Sequence, residues 1–144
     1  MMTLLSSLID YGVIGTLVLL SMWAVAITVE RLSLYRRIDV TAFPSTQALE
    51  IELTRRLYVI GTVAANAPYI GLLGTVFGIM LTFHTMGTEG NMDVRSIMVG
   101  LSLALKATAV GLLVAIPCVA MNNMLRRRVK ELVSRYQAGV PHGS

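Results

Sequence analysis

Two threonines inside long apolar stretches are the side chains best placed to handle protons or water. Thr75 lies in residues 57–88, which contain no Asp, Glu, Lys or Arg, and Thr108 lies in residues 96–125, which contain one charged residue. In an apolar helix, a threonine hydroxyl either bonds the carbonyl of the preceding turn or serves a narrow hydrated lumen. The residues alone leave both interpretations open.

Lys106 is the charged residue within 96–125, and its spacing suggests a partner. It stands 20 residues before Arg126, just as Asp10 stands 20 residues before Glu30. Each interval corresponds to about 30 Å of helix. Asp10 and Lys106 should therefore lie at similar heights, near the outer face of the membrane that the helices cross, and form an ion pair. Snorkelling of the lysine to lipid headgroups and a direct transport role remain the alternatives.

The other reactive side chains do not form the common catalytic or metal-binding sets. Cys118 is the only cysteine, and His84 and His142 are the only histidines. A disulfide framework and a zinc site are therefore excluded. The sequence also lacks a Gly-rich phosphate loop, a Ser/His/Asp arrangement and paired buried carboxylates. We expect a protein that is not an enzyme and that needs no metal or cofactor.

The composition of the chain indicates a membrane protein with a single domain covering residues 1–144. Hydrophobic residues make up 55% of the sequence, charged residues 14%, and the mean hydropathy is +0.70. Too few charges are present to cover a water-facing surface. The net charge of +4 comes from basic clusters at the ends of apolar runs, without interleaved aromatic residues, so nucleic-acid binding is not expected.

Three apolar stretches predict an all-α fold with three transmembrane helices, at about residues 9–30, 68–86 and 97–124. Each is long enough to cross a hydrocarbon core of about 30 Å. Proline is tolerated in a first helical turn, so the second span is expected to begin near Pro68. A turn at residues 87–95, containing Gly87, Gly90 and Asn91, should separate the second and third spans. All three helices are expected to extend into the cytoplasm.

The cytoplasmic segment 31–67 is expected to hold shorter helical pieces on either side of residues 43–45. Glu50 and Glu52 precede Arg55 and Arg56 at spacings that would allow ion pairs on one helix.

The distribution of basic residues predicts the orientation in the membrane. Residues 31–60 and the tail 125–144 each hold five Lys or Arg residues, whereas the turn holds Arg95 alone. Basic residues favour the cytoplasmic side, so the segment 31–67 and the tail should lie in the cytoplasm and the N-terminus outside. Arg126, Arg127 and Arg128 are interpreted as a topology anchor that contacts anionic lipids.

The second and third spans each carry small residues at steps of three or four, which places them on one helix face. The simplest interpretation is close helix packing within the membrane. These small residues are Gly71, Gly74 and Gly78 in the second span and Gly100, Ala104, Gly111 and Ala115 in the third.

Two of these stretches resemble the second-span and third-span signatures of the MotA/TolQ/ExbB proton-channel family. They are APYIGLLGTVFG at residues 67–78, followed by Phe83, and ATAVGLLVAIP at residues 107–117, followed by Asn122. The charged residues after the first span are also similar to those of ExbB. The resemblance covers most of residues 11–128, and the short cytoplasmic parts favour a compact ExbB over the larger MotA.

The resemblance implies a homopentameric ring in the bacterial inner membrane, surrounding the helices of an ExbD-type single-span partner that carries a membrane Asp. Such a ring would use the proton motive force to energise outer-membrane uptake, such as iron uptake, through a TonB-type protein. Thr75 and Thr108 fall at the lumen-facing threonines of the family. A TolQ-like role in envelope maintenance, a non-conducting structural ring and a small solute transporter remain alternatives.

One position departs from the family pattern. The third span often places a glutamate five residues before its threonine, and this chain has Leu103 there. Either that glutamate is dispensable for conduction or this subunit works differently. No Asp or Glu occurs within residues 11–29, 57–88 or 96–125. The partner's Asp is therefore expected to be the group that takes up and releases protons.

Overall fold

The computed structural model describes residues 2–90 and 93–139. Within these residues the chain forms α1 (Met2–Arg37), a 3-10 helix (Val40–Ala42), α2 (Thr46–Leu53), α3 (Leu57–Glu89) and α4 (Val94–Gly139). The helices α1, α3 and α4 are long and apolar enough to cross a membrane. The predicted all-α fold is confirmed, with three helices that could span a membrane, and so are helical pieces on either side of residues 43–45.

Helix α3 is longer than the second membrane span, which the sequence predicts to begin near Pro68. Helix α3 begins at Leu57, and Pro68 lies inside it. Arg56 has a left-handed backbone with a φ of 67°, and this separates α2 from α3. The buried residues Val59, Ile60 and Val63 follow at helical spacing. Their burial offsets the cost of an internal proline, which removes one hydrogen bond from the helix.

Helix α3 also continues further than predicted at its other end. The helix reaches Glu89 and ends at Gly90, whose φ of 69° allows its N–H to donate to the Met86 carbonyl at 2.9 Å. A glycine in this left-handed conformation is a common helix stop. The predicted turn is therefore shorter than residues 87–95, and Asn91, which was assigned to it, lies outside the described residues.

The larger hydrophobic core lies at the end of the bundle that is expected to be cytoplasmic. Leu49 and Leu53 of α2 are fully buried there, together with Leu57 and Ile60 of α3 and Leu125 of α4. The Ser45 hydroxyl accepts a hydrogen bond from the Ala48 N–H at 3.1 Å and so caps the start of α2. Helix α2 thus completes the core from outside the three long helices.

Arg56 is paired with α1 and not with the carboxylates of α2, contrary to the predicted pairing within one helix. Its Nη1 lies 2.9 Å from Glu30 Oε2, and Arg31 Nη2 lies 2.8 Å from Glu30 Oε1. The expected spacing fails because α2 ends at Leu53 and Arg56 interrupts the helix.

Two further hydrogen bonds hold α1 against the junction of α2 and α3. Arg31 Nη1 donates to the Glu52 carbonyl at 2.8 Å, and the Tyr35 hydroxyl donates to the Leu53 carbonyl at 2.5 Å. Arg31 and Tyr35 are both buried. We call Arg31, Tyr35 and these two carbonyls the α1 clamp.

Candidate functional site between α3 and α4

Helices α3 and α4 meet in an antiparallel seam at the small residues that the sequence indicates. A Cβ atom added to Gly71 would lie 2.6 Å from the Ala107 carbonyl oxygen, and one added to Gly111 would lie 2.7 Å from the Ala67 carbonyl oxygen. Real Cβ atoms do not approach other atoms so closely, so only glycine fits where the two backbones touch.

The remaining small residues extend the seam in both directions. Added Cβ atoms on Gly74 and Gly78 would lie 2.8 Å from the Cβ atoms of Ala107 and Ala104, respectively. Gly100 faces Thr82, and the buried Ala115 packs with Leu17 and Ala67. The structure therefore brings together Gly71, Gly74, Gly78, Gly100, Ala104, Gly111 and Ala115.

Thr75 and Thr108 meet across this seam. Thr75 Oγ1 donates to the Ala104 carbonyl at 2.9 Å, lies 3.3 Å from the Gly71 carbonyl oxygen, and is hydrogen-bonded to Thr108 Oγ1. Thr75 is buried, with 7% of its surface exposed, whereas Thr108 is partly buried. We call these two residues the threonine pair.

The threonine pair lies on the edge of the seam that faces away from α1. An added Cβ on Gly74 would lie 3.1 Å from Val13 of α1, so Gly74 marks the α1 side. Gly74 and Ala107 lie on the α1 side of the seam, and Thr75 and Thr108 are the next residues along their helices. One residue corresponds to a rotation of about 100° around the helix axis. Because the helices are antiparallel, both rotations lead to the same edge, opposite α1.

The surface beyond that edge is apolar. Leu72 of α3 and Leu105 and Leu112 of α4 project there by helical spacing, and between 45% and 59% of each is exposed. The threonine pair is thus a polar site bordered by exposed leucines. A carboxylate that approached it would meet apolar side chains in place of part of its hydration shell.

Lys106 and Asp10 meet on the other side of the seam. Lys106 Nζ lies 3.7 Å from Asp10 Oδ2, with 54% of the lysine side chain and 28% of the aspartate side chain exposed. This distance places the two charges in contact without a short hydrogen bond. Lys106 therefore faces α1 and not the threonine pair.

A cleft of about 380 Å³ opens beside this ion pair, between the first residues of α1, the last turns of α3 and the first turns of α4. Asp10, Thr82, Thr85 and Ser96 contribute polar groups to its lining. Leu103 also lines this cleft. Leu103, which stands where the family pattern often has a glutamate, therefore faces the α1 side of the seam.

The three arginines at 126–128 lie where α4 continues past its apolar stretch. Arg126 Nε donates to Asn122 Oδ1 at 3.2 Å, and Arg127 and Arg128 pair with Glu131 at 3.5 and 3.4 Å. Arg126 and Arg127 are exposed and Arg128 is partly buried.

His84 and Cys118 stand apart from the threonine pair. His84 is exposed near the end of α3, and Cys118 is a buried free cysteine in the larger core. Across residues 2–90 and 93–139, no three His, Cys, Asp or Glu side chains are grouped as metal ligands would be.

The role of Arg31 could not be found from the sequence. Five basic residues in the segment 31–60 carry the same topological signal, and only one of them, Arg31, is nine-tenths buried. Its burial depends on the position of the α2–α3 junction, and that position depends on the left-handed Arg56. The spacing of residues along α1 therefore predicts neither the burial of Arg31 nor the position of this junction.

Three long apolar helices, two of which are joined through a glycine-lined seam, indicate a multi-pass α-helical membrane protein. Residues 37–138 match the MotA/TolQ/ExbB proton channel family, and the chain belongs to this family.

Several named proteins are similar to this chain over most of its length. It is 52% identical over 138 residues to Biopolymer transport protein ExbB of Aquifex aeolicus, covering 96% of this chain and 93% of that protein. It is 46% identical over 132 residues to Putative biopolymer transport protein ExbB-like 2 of Helicobacter pylori, covering 92% and 88%. The similarity to Tol-Pal system protein TolQ of Pseudomonas aeruginosa is 39% over 87 residues, covering 60% and 38%.

Proposed function

We propose that this chain is the ring-forming subunit of a proton-driven motor in the bacterial inner membrane. With an ExbD-type partner, it uses the proton motive force to energise TonB-dependent uptake across the outer membrane. Membership of a proton-channel family and the similarity to proteins named biopolymer transport protein ExbB support this proposal. The observation that carries it is the threonine pair on an edge of the seam opposite α1.

In the proposed ring, five copies place α3 and α4 around a central lumen and α1 towards the lipid. The threonine pair then faces the lumen, where a partner helix brings its Asp. The exposed leucines around the pair make an ionised carboxylate costly, whereas a neutral acid is tolerated. Protonation therefore determines whether the partner helix can dwell against this wall, and proton flow can be coupled to movement of that helix.

The proposed orientation has the N-terminus in the periplasm and the tail of α4 in the cytoplasm. The exposed Arg126 and Arg127 then meet the anionic headgroups of the inner leaflet. The cleft beside Asp10 and Lys106 opens towards the periplasmic end.

The extent of the similarities favours an ExbB-type role over a TolQ-type role. The Aquifex ExbB matches over 93% of its own length, whereas the Pseudomonas TolQ matches over 38% of its own length. A TolQ-like role in envelope maintenance remains the second candidate, because proteins named TolQ are 39% and 42% identical to this chain over 87 and 88 residues.

The test replaces the hydroxyls of the pair while preserving their shape. Thr75→Val and Thr108→Val are combined in cells that lack the native copy and retain the partner, and uptake of an iron–siderophore complex is measured. We expect uptake to be lost while the protein still reaches the membrane and binds its partner. The matched control is Thr16→Val, because Thr16 is exposed on α1 and, among the residues that the structure describes, its hydroxyl bonds only the Gly12 carbonyl, at 2.8 Å.

Uptake at the wild-type level in the double variant would refute a role for the pair. Proton entry into vesicles containing the wild-type complex separates the motor from the non-conducting ring. A ring that binds its partner without conducting protons would leave the internal pH unchanged.

A further inference from the structure

Helix α1 does not pack against α3 and α4 equally along its length. Its residues Leu17, Ala24 and Ile27 are buried, whereas none of the residues from 4 to 16 is buried. At this less tightly packed end lies the cleft of about 380 Å³ beside Asp10. Helices packed to the usual density of protein interiors leave few spaces of this size, and the volume is typical of a small-molecule site.

The lining of the cleft changes from polar to apolar with depth. Along α3 it extends from Thr85 to Gly74, which corresponds to about 16 Å of helix. Hydroxyl groups lie near the helix ends, and small residues form the floor closer to the middle of the bundle. Such a gradient matches a phospholipid, which has a polar headgroup and apolar acyl chains, better than a wholly polar solute. The hydroxyl-bearing residues include Ser7, Thr85 and Ser96, and the floor includes Gly74, Gly78 and Ala107.

The hydroxyl groups of α3 that line the cleft act towards a ligand as hydrogen-bond acceptors. Thr82 Oγ1 donates to the Gly78 carbonyl at 2.9 Å, and Thr85 Oγ1 donates to the Leu81 carbonyl at 2.8 Å. A hydroxyl group carries one hydrogen and two lone pairs, so each of these oxygens then offers lone pairs to the cleft. Asp10 adds a carboxylate, which also accepts. The cleft is therefore suited to a ligand that donates several hydrogen bonds.

Two opposite charges lie side by side at the cleft. Lys106 Nζ is 3.7 Å from Asp10 Oδ2, which is too far for a strong hydrogen bond, and both side chains are partly exposed. Each ion can therefore bind a second group of opposite charge. A headgroup that contains both an ammonium and a phosphate complements this pair, because its ammonium can reach Asp10 while its phosphate reaches Lys106.

We propose that this cleft binds a phospholipid with a primary-amine headgroup, of the phosphatidylethanolamine type. The ammonium donates to Asp10 and to the hydroxyl oxygens of α3, and Lys106 contacts the phosphate. An acyl chain lies along the glycine and alanine residues of the floor, so the lipid completes the bundle where α1 packs less closely. This inference goes beyond the proposed function, because it depends only on the cleft and on a bilayer around the three long helices.

The test is native mass spectrometry of the full chain with three lipids that share the same dioleoyl chains. The protein is titrated in detergent with phosphatidylethanolamine, phosphatidylcholine or phosphatidylglycerol, and the lipid bound per protomer gives an apparent Kd for each. Phosphatidylcholine has no N–H group and phosphatidylglycerol has no amine, so neither can make the proposed contacts with the acceptors. We expect phosphatidylethanolamine to bind about fivefold more tightly than either.

Asp10→Asn keeps the shape of the side chain and removes its charge. It should weaken phosphatidylethanolamine binding about fivefold and so abolish the preference over phosphatidylcholine. The matched control is Asp39→Asn, because Asp39 is exposed beyond the other end of α1 and does not line the cleft. The control should keep the preference. Because the measured quantity is a ratio between lipids, a variant that only folded less well would not reproduce this loss.

A second pair of variants tests the position of the lipid. Leu103 lines the cleft, so Leu103→Trp should fill it and remove the bound phosphatidylethanolamine. Leu105→Trp is the control, because Leu105 is exposed to a similar extent, 59% against 50%, and projects at the opposite edge of the seam. That variant should bind the lipid as the wild type does.

Equal affinity of the wild-type chain for the three lipids would overturn the inference, and so would a preference that survives Asp10→Asn. Equal lipid binding by the two tryptophan variants would also overturn it, because the lipid would then lie outside the cleft. None of these measurements depends on proton conduction or on uptake. A failure here therefore leaves the proposed function intact, and a failure of the proposed function leaves the lipid site intact.

Discussion

At the scale of single residues, the seam between α3 and α4 depends on the absence of two side chains. Gly71 and Gly111 bring backbone carbonyls of the opposite helix within 2.7 Å of where a Cβ would lie. A backbone carbonyl cannot turn aside as a flexible side chain can, so a larger residue must push the helices apart. The threonine pair lies beside these contacts and would lose its geometry with them.

Gly71→Ala is therefore expected to lower the free energy of unfolding by about 1–3 kcal/mol, the typical cost of overpacking. The matched control is Gly12→Ala in α1, where an added Cβ meets nothing within 4 Å. That change should stabilise the helix by about 0.5–1 kcal/mol, because alanine loses less backbone entropy than glycine. Thermal unfolding of the detergent-solubilised protein measures both, and shifts of the same sign would contradict the explanation.

The pairing of Asp10 with Lys106 yields a second prediction at this scale. Asp10→Asn and Lys106→Met should each destabilise the protein, and a double-mutant cycle should give a coupling of about 0.5–1 kcal/mol, because both side chains are partly exposed. The double variant that exchanges the charges, Asp10→Lys with Lys106→Asp, should recover most of the lost stability. Strictly additive single effects would show that the ions do not interact.

At the scale of elements, the α1 clamp joins the first long helix to the short helix α2. Arg31→Ala removes the hydrogen bond to the Glu52 carbonyl and the contact with Glu30, both at 2.8 Å. We expect the free energy of unfolding to fall by about 2–3 kcal/mol, because hydrogen bonds from a charged donor are stronger than those from a neutral donor. Limited proteolysis should then cut within residues 38–56. Arg37→Ala is the control, because Arg37 is exposed at the end of α1; equal protease sensitivity in the two variants would count against the clamp.

The sequence predicts the elements of this fold better than their ends. Three apolar stretches predict three helices because length and hydropathy alone determine what can cross a bilayer. The equal intervals from Asp10 to Glu30 and from Lys106 to Arg126 also predict a contact, because helical rise converts spacing into height. The start of α3 could not be predicted from Pro68, since burial of the residues before it outweighs the proline penalty. The mutual bond of Thr75 and Thr108 depends on the register of two helices, which no single stretch contains.

At the scale of the whole molecule, the proposed orientation can be tested with single cysteines. Cys118→Ser provides a background without cysteine, and Ser6→Cys and Ser134→Cys place thiols at exposed positions near opposite ends of the bundle. A membrane-impermeant maleimide should label Ser6→Cys in intact spheroplasts and label Ser134→Cys only after lysis. Labelling in the reverse order would place the N-terminus in the cytoplasm.

The proposed ring makes a prediction about mass. Native mass spectrometry of the complex should show five copies of the 15.6 kDa chain together with its partner. A complex containing a single copy would have no enclosed lumen, and the proton-driven motor would then lose its structural basis.

The backbone contact at Gly71 and Gly111 also limits how such an assembly could move. Because their backbones are in contact, α3 and α4 should move together as a rigid body. Sliding or separating them would break tight packing along the whole seam. If the proposed ring widens during its working cycle, the change must then occur at the interfaces between neighbouring copies, with each α3–α4 hairpin tilting as a rigid body.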